Sequence, residues 1–188
     1  MLKYFFILTS LFVLITLNSC STQNSFDGYT STHVKFAKRK IESTKMGYTI
    51  CVPYLWDLKR NYEGQFLIET FIDSRKLVFD SPSLSIAKFK GNSNDLDLYV
   101  DFLSKEELLP EEFSVVSRGE SDFLNYDSYY THVRSVTDAI NEIEVITFIL
   151  KGKEDSTFFT IMSSAPQDKD LNTNMAMLMN CSRQFELK

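Results

Sequence analysis

Hydrophobic positions change period along this chain, and the changes mark its elements. Residues 41–52 become steadily more apolar and β-branched through Tyr48-Thr49-Ile50-Cys51-Val52. They stop at Pro53, which has no amide hydrogen to give to a ladder, so a first strand is predicted over 41–52. Residues 57–61 and 65–72 read as a hairpin around Glu63-Gly64, its second arm carrying Phe66, Ile68, Thr70 and Ile72 at period two. After the Asp80-Ser81-Pro82 turn, residues 84–89 read as a further strand. The period then lengthens: Leu96, Tyr99, Val100 and Leu103 recur at helical spacing. Ser93-Asn94-Asp95 offers the cap, and Asp95 and Asp97 suit the positive end of the helix dipole. Pro110 closes that helix after Lys105-Glu106-Glu107. Four strands with short turns follow, over 113–120, 126–136, 142–150 and 157–163, as in an antiparallel meander. In the third, Glu142 to Val145 alternate, after which Ile146, Phe148 and Leu150 make the other face apolar too, so the sheet is covered on both sides there. Asp168 or Asp170 caps a last helix with a stripe of Leu171, Met175, Leu178 and Phe185.

The expected architecture is α+β: an antiparallel β-sheet of about six to eight strands flanked by a middle helix and a C-terminal amphipathic helix. Residues 40–188 form one domain, long enough for a substantial core and short for two.

Ahead of the domain lies a different pattern. Lys3 precedes the apolar runs Tyr4-Phe5-Phe6-Ile7-Leu8 and Leu11-Phe12-Val13-Leu14-Ile15, which end at Leu17-Asn18-Ser19-Cys20. The run is of signal-peptide length and meets Asn18 and Ser19 before reaching the roughly 20 apolar residues of a spanning helix. The closing four residues resemble the lipobox of bacterial lipoprotein signal peptides. That resemblance implies removal of residues 1–19 and acylation of Cys20, and two or more chains hold a protein stably at a membrane. Residues 20–39 are then expected to be a lipidated cysteine and flexible tether, polar through Ser21-Thr22-Gln23-Asn24-Ser25 and Gly28-Tyr29-Thr30-Ser31-Thr32. No acidic run directly follows Cys20, which leans toward a periplasm-facing position in the bacterial cell envelope.

Composition narrows the function. Sixteen Phe, nine Tyr and 44% hydrophobic residues exclude a disordered chain. The net charge of -5 becomes -6 without Lys3, so the domain lacks the basic footprint of a nucleic-acid binder. Lys35-Phe36-Ala37-Lys38-Arg39-Lys40 is a local basic exception, read as a solvated approach to the domain rather than a lipid contact. With Cys20 acylated, Cys51 and Cys181 remain. In an oxidising compartment an even pair invites a disulfide, which would close a loop of about 130 residues and add several kcal/mol in the chain-entropy model. Two separately buried thiols are the equal alternative.

Pro53-Tyr54-Leu55-Trp56 ahead of a hairpin, one middle helix, Gly119-Glu120 before a Leu124-Asn125-Tyr126 turn, long paired strands and a closing helix resemble the Mog1/PsbP-like fold over roughly residues 40–187. Proteins of that fold serve unrelated functions, so the resemblance implies architecture and transfers no ligand motif.

Residue chemistry is sparse. There are two histidines, His33 in the tether and His132 in a strand, and no zinc-ligand spacing, nucleophile elbow, phosphate loop or dinucleotide fingerprint occurs. Asp95, Asp97, Asp101, Glu106 and Glu107 lack the ligand order of a calcium loop and read as a solvated helix face. Met175, Met177 and Met179 do not share a face and read as core filler rather than a soft-metal site. No catalytic residue, metal or cofactor is therefore expected. The expected function is a lipid-anchored, non-catalytic binding or assembly module. Its partners would be the membrane, through the anchor, and another envelope protein, with no nucleic acid. Tyr126, Tyr129 and Tyr130 are the candidate contact, since aromatics at a turn supply hot-spot area, against the alternative that they complete the core. An envelope hydrolase or small-ligand binder using a pocket near His132 is the competing reading.

Overall fold

The computed structural model describes residues 24–64, 66–75, 81–97, 100, 112–135 and 142–188. Residues 1–19, Cys20, Tyr99, Leu103, Asp101, Glu106 and Glu107 lie outside them.

Two antiparallel sheets face one core. Strands β3 (Asp57–Glu63), β4 (Phe66–Ile72) and β5 (Ser83–Lys90) form one meander, and β6 (Phe113–Ser121), β7 (Ser128–Ser135), β8 (Ile143–Lys151) and β9 (Thr157–Pro166) form another. β5 pairs with β9, from Ser83 opposite Ser164 to Lys90 opposite Thr157, giving the order β3-β4-β5-β9-β8-β7-β6. The second sheet is small: β1 (Lys38–Ser43) and β10 (Glu186–Leu187) flank β2 (Tyr48–Pro53). Helix α2 (Leu171–Ser182) and β2 cover one face of the large sheet, and Tyr48, Ile50, Val52, Leu178 and Phe185 share the core with Phe71, Ile86, Phe148 and Ile161. A buried hydroxyl pair, Ser163 with Ser182 at 3.1 Å, ties α2 to β9.

Several expectations shift. The single strand over 41–52 is two, because the chain turns at Gly47, whose φ of +81° suits a residue without a Cβ. The basic cluster runs into β1, where Arg39 donates to the Trp56 carbonyl at 2.6 Å. In β4 the residues packed into the core cluster are Leu67 and Phe71, with buried Glu69 between them; of the period-two set Phe66 is 58% exposed, Ile68 and Thr70 are half-buried and Ile72 is buried. The last helix ends at Ser182, and Phe185 reaches the core from the turn beyond it. Neither Asp168 nor Asp170 caps α2 with its side chain; Asp168 instead accepts from the Asp170 amide at 2.8 Å. Leu96, Asp97 and Val100 are helical, as the spacing predicts.

The largest correction concerns the expected flexible tether. Residues 24–32 are folded onto the domain: α1 (Asp27–Thr30) packs against α2, and Phe26, just before it, is 1% exposed in the core. A sequence pattern of one aromatic residue every few polar ones has no helical or strand period, yet a single large ring is enough to seat a segment when a cavity receives it.

Candidate functional site

Glu144 organises the region where the strap of residues 24–32 meets the sheet. It occupies an inward position on β8, in phase with Ile146 and Phe148, and is fully buried. Its Oε1 accepts from His132 Nε2 at 2.8 Å and from the Tyr29 hydroxyl, and its Oε2 accepts from Arg134 Nε at 3.0 Å and Nη2 at 2.7 Å. The sheet sets this geometry, since Arg134 stands opposite Glu144 in the β7–β8 register. Burial alone would raise the pKa of Glu144, but hydrogen bonds from His132, Tyr29 and Arg134 outweigh it and hold the pKa at about 2. Burial, and after it the same contact with Glu144, push the Tyr29 phenol well above its ordinary range.

On its other side, His132 faces the strap. Nδ1 lies 2.6 Å from Ser25 Oγ, which also bonds Ser117 Oγ on the edge strand β6. An ionised carboxylate only accepts, so Nε2 carries a hydrogen, and in the neutral ring Nδ1 accepts from the Ser25 hydroxyl. Hydroxyl, imidazole and carboxylate thus lie in the order of a proton relay. The same atoms also form a clasp. Phe26 inserts edge-on among Phe123, Tyr130 and Phe148 at ring separations of 5.3, 4.9 and 5.4 Å. Arg183 lies over the Phe123 ring at 4.7 Å.

Two cavities open at the start of the strap. The larger, about 650 Å³, has Asn24, Asp97, Glu120, Asp122, Asp127 and Tyr129 in its wall, with Leu96 and Val100 as its apolar side. A second, about 430 Å³, lies between Asn24, Asp27, Asn125 and Arg183. Neither is lined by Ser25 or His132.

The three candidate contact tyrosines part company. Tyr130 is core, 5% exposed and behind Phe26. Tyr126 is half-buried, with its ring edge-on to Phe185 and its hydroxyl accepting from the Leu187 amide at 3.0 Å, so it fastens β10. Tyr129 points to the opposite sheet face and lines the larger cavity. Cys51 and Cys181 are both free thiols, Cys51 half-buried and Cys181 buried, and burial pushes the Cys181 thiol up to about 12. Asp95 and Asp97 are exposed, and no group of three or more His, Cys, Asp or Glu side chains converges as a metal site among the described residues.

Spacing rules did not find Glu144 because they look for motifs. The available signal was a charged residue in phase with Ile146, Phe148 and Leu150. Glu69 repeats the signal between Leu67 and Phe71. It is 1% exposed and accepts from Ser43, Tyr48, Arg60 and Tyr62, and although burial opposes it, those bonds hold its carboxyl below the ordinary range.

Solved structures with the same architecture place the domain in the Mog1/PsbP-like fold. The chain is similar to the Ran-binding protein Mog1p of Saccharomyces cerevisiae at 12% identity and a TM-score of 0.55, over 81% of this chain and 96% of that one. It is similar to cyanobacterial PsbP of Synechocystis at 13% identity and a TM-score of 0.58, over 82% and 95%. LpqN of Mycobacterium tuberculosis, described as involved in cell envelope biogenesis, matches at 12% identity and a TM-score of 0.57, over 88% and 98%. At such identities the likeness is one of fold. No family model and no curated protein matches the sequence. No described helix is long and apolar enough to cross a membrane.

Proposed function

We propose that this chain is a lipid-anchored protein of the bacterial cell envelope whose domain is a non-catalytic binding or assembly module, facing the periplasm. The observation that carries the reading is a lipobox-like Leu17-Asn18-Ser19-Cys20 immediately ahead of a domain with the fold of the Ran-binding Mog1 and the envelope-biogenesis protein LpqN. Cys20 supplies the membrane attachment, which raises the domain's effective concentration toward membrane partners. Another envelope protein is the partner, and Tyr129 with the larger cavity is its contact surface. This contact keeps only the tyrosine that the fold leaves available.

A photoreactive residue at position 129, exposed to light in the cell's own membranes, tests the reading. One recurring membrane-complex adduct that disappears in Cys20→Ser supports it. An absence of adducts, or the same adducts with and without the anchor, contradicts it.

The alignment of Ser25, His132 and Glu144 favours one second reading, an envelope hydrolase with Ser25 as nucleophile and His132 as base. Ester turnover that vanishes in Ser25→Ala while the strap stays seated would support it. No turnover in the wild type across an ester and amide panel leaves the clasp as the role of these groups.

A further inference from the structure

The length of chain between the anchor and the folded strap limits how the domain can sit on a bilayer. Asn24 is held in the turn that opens the strap: its amide donates to Asp27 Oδ2 at 2.8 Å and its carbonyl accepts from the Asp27 amide at 3.0 Å. Two residues on, Phe26 is in the core, and the Tyr29 hydroxyl is bonded to buried Glu144. From Cys20 to Asn24 there are four residue steps, which extended chain spans in at most about 14 Å. A flexible tether over residues 20–39 would instead have a root-mean-square length of about 25 Å and a much longer full reach.

Across the seven strands of the large sheet, at about 4.8 Å per step, the domain is about 29 Å wide. A leash shorter than that width cannot let every face meet the membrane. Building on Cys20 as the lipidated residue, we infer that the strap fixes the domain's orientation: the end around Asn24, Asp27, Asp122 and Asn125 lies against the lipid surface, and the β3 edge points away.

Geometry supplies the rest of the picture. Strap and cavities lie on the β6 to β8 side of the sheet, since Ser25 meets Ser117 of β6 and Asn24 shares both cavity walls with Asp122. Strand β3, with exposed Lys59 and Asn61, is the opposite edge of the same sheet. Carboxylates at Asp27, Asp122 and Asp127 keep the membrane-facing end at headgroup height, because burial of these charges in hydrocarbon is costly. The larger cavity therefore opens near the bilayer surface, within reach of groups presented there.

Fluorophore quenching on vesicles tests this placement. The mature lipoprotein, in a Cys51→Ser background, carries a dye at Asp122→Cys or at Lys59→Cys and is reconstituted into phosphatidylethanolamine and phosphatidylglycerol vesicles doped with headgroup-nitroxide lipid. Quenching at position 122 is expected to exceed that at 59 by at least twofold. A twenty-residue Gly/Ser insertion after Gln23 lengthens the leash without touching the strap and is expected to erase most of that difference. Equal quenching at the two sites in protein that floats with the vesicles overturns the fixed orientation while leaving the anchor intact. A large difference that survives the insertion also overturns the leash as its cause. Protein that fails to float defeats the Cys20 anchor, and the orientation with it.

Discussion

Two buried glutamates carry most of the polar chemistry of this domain at the residue scale, and neither belongs to a motif. Glu144 is ionised inside the core because four donor groups converge on it, from Tyr29, His132 and both arms of the Arg134 fork. Its folded pKa of about 2 lies below the roughly 4.3 of an unfolded glutamate. The folded state therefore binds fewer protons, and the contribution to stability, on the order of 3 kcal/mol, is present above about pH 4.5 and is lost as pH falls through about 2. Urea titrations across that window should show the wild type losing stability faster than Glu144→Gln. At pH 7 the variant should be less stable by about 3–5 kcal/mol, since Arg134 and His132 keep their donors and lose the charge. Thiol chemistry gives a second check. Burial and the raised pKa of Cys181 protect it, so alkylation of the native protein as isolated, without reductant, should mark Cys51 well before Cys181. If neither thiol reacts until a reductant is added, the pair is bonded instead. Sequence reading reached these residues unevenly. His132 stood out by rarity, whereas Glu144 required knowing that its neighbours at i+2 and i+4 face inward.

Elements were easier to see than their partners. Strands β3 to β9 fall close to where the period-two stretches put them, because hairpin arms a few residues apart report their own ends through turns. The exception, the β1–β2 hairpin, hid behind a continuous β-rich run in which Gly47 was the only turn signal. Gly47→Ala should therefore cost about 1 kcal/mol, read as a lower melting temperature, since a Cβ at φ +81° is strained even though nothing crowds it. The strap was less legible still. Its attachment rests on the Ser25 and Tyr29 bonds and on one ring seated among Phe123 of the β6–β7 turn, Tyr130 of β7 and Phe148 of β8, which no local pattern encodes. Phe26→Ala should remove about 3–5 kcal/mol of packing. Limited proteolysis is the check: cleavage within residues 24–36 should accelerate in the variant while the sheet core stays protected. Equal cleavage rates would mean that the strap is held without its aromatic anchor.

For the whole molecule, the α+β class and the Mog1/PsbP-like fold follow from element order, and the solved neighbours share that fold across nearly their full lengths. What the linear pattern did not carry is the pairing of β5 with β9, which joins two meanders into seven strands, or the separation of β2 into a small sheet over the core. Both depend on contacts between residues far apart in the chain. Function at this scale depends on placement. Of the two buried glutamates only Glu144 holds the strap, through Tyr29, and a carboxylate-lined cavity opens at the strap's start, so the proposed role is one of placement at the membrane. That account stands on Cys20. Cells expressing the full chain, fed a radioactive fatty acid and analysed by immunoprecipitation, test it most directly. The account predicts label on the wild type and none on Cys20→Ser, which should also keep residues 1–19. An unlabelled wild type, or equal label on both proteins, would contradict it.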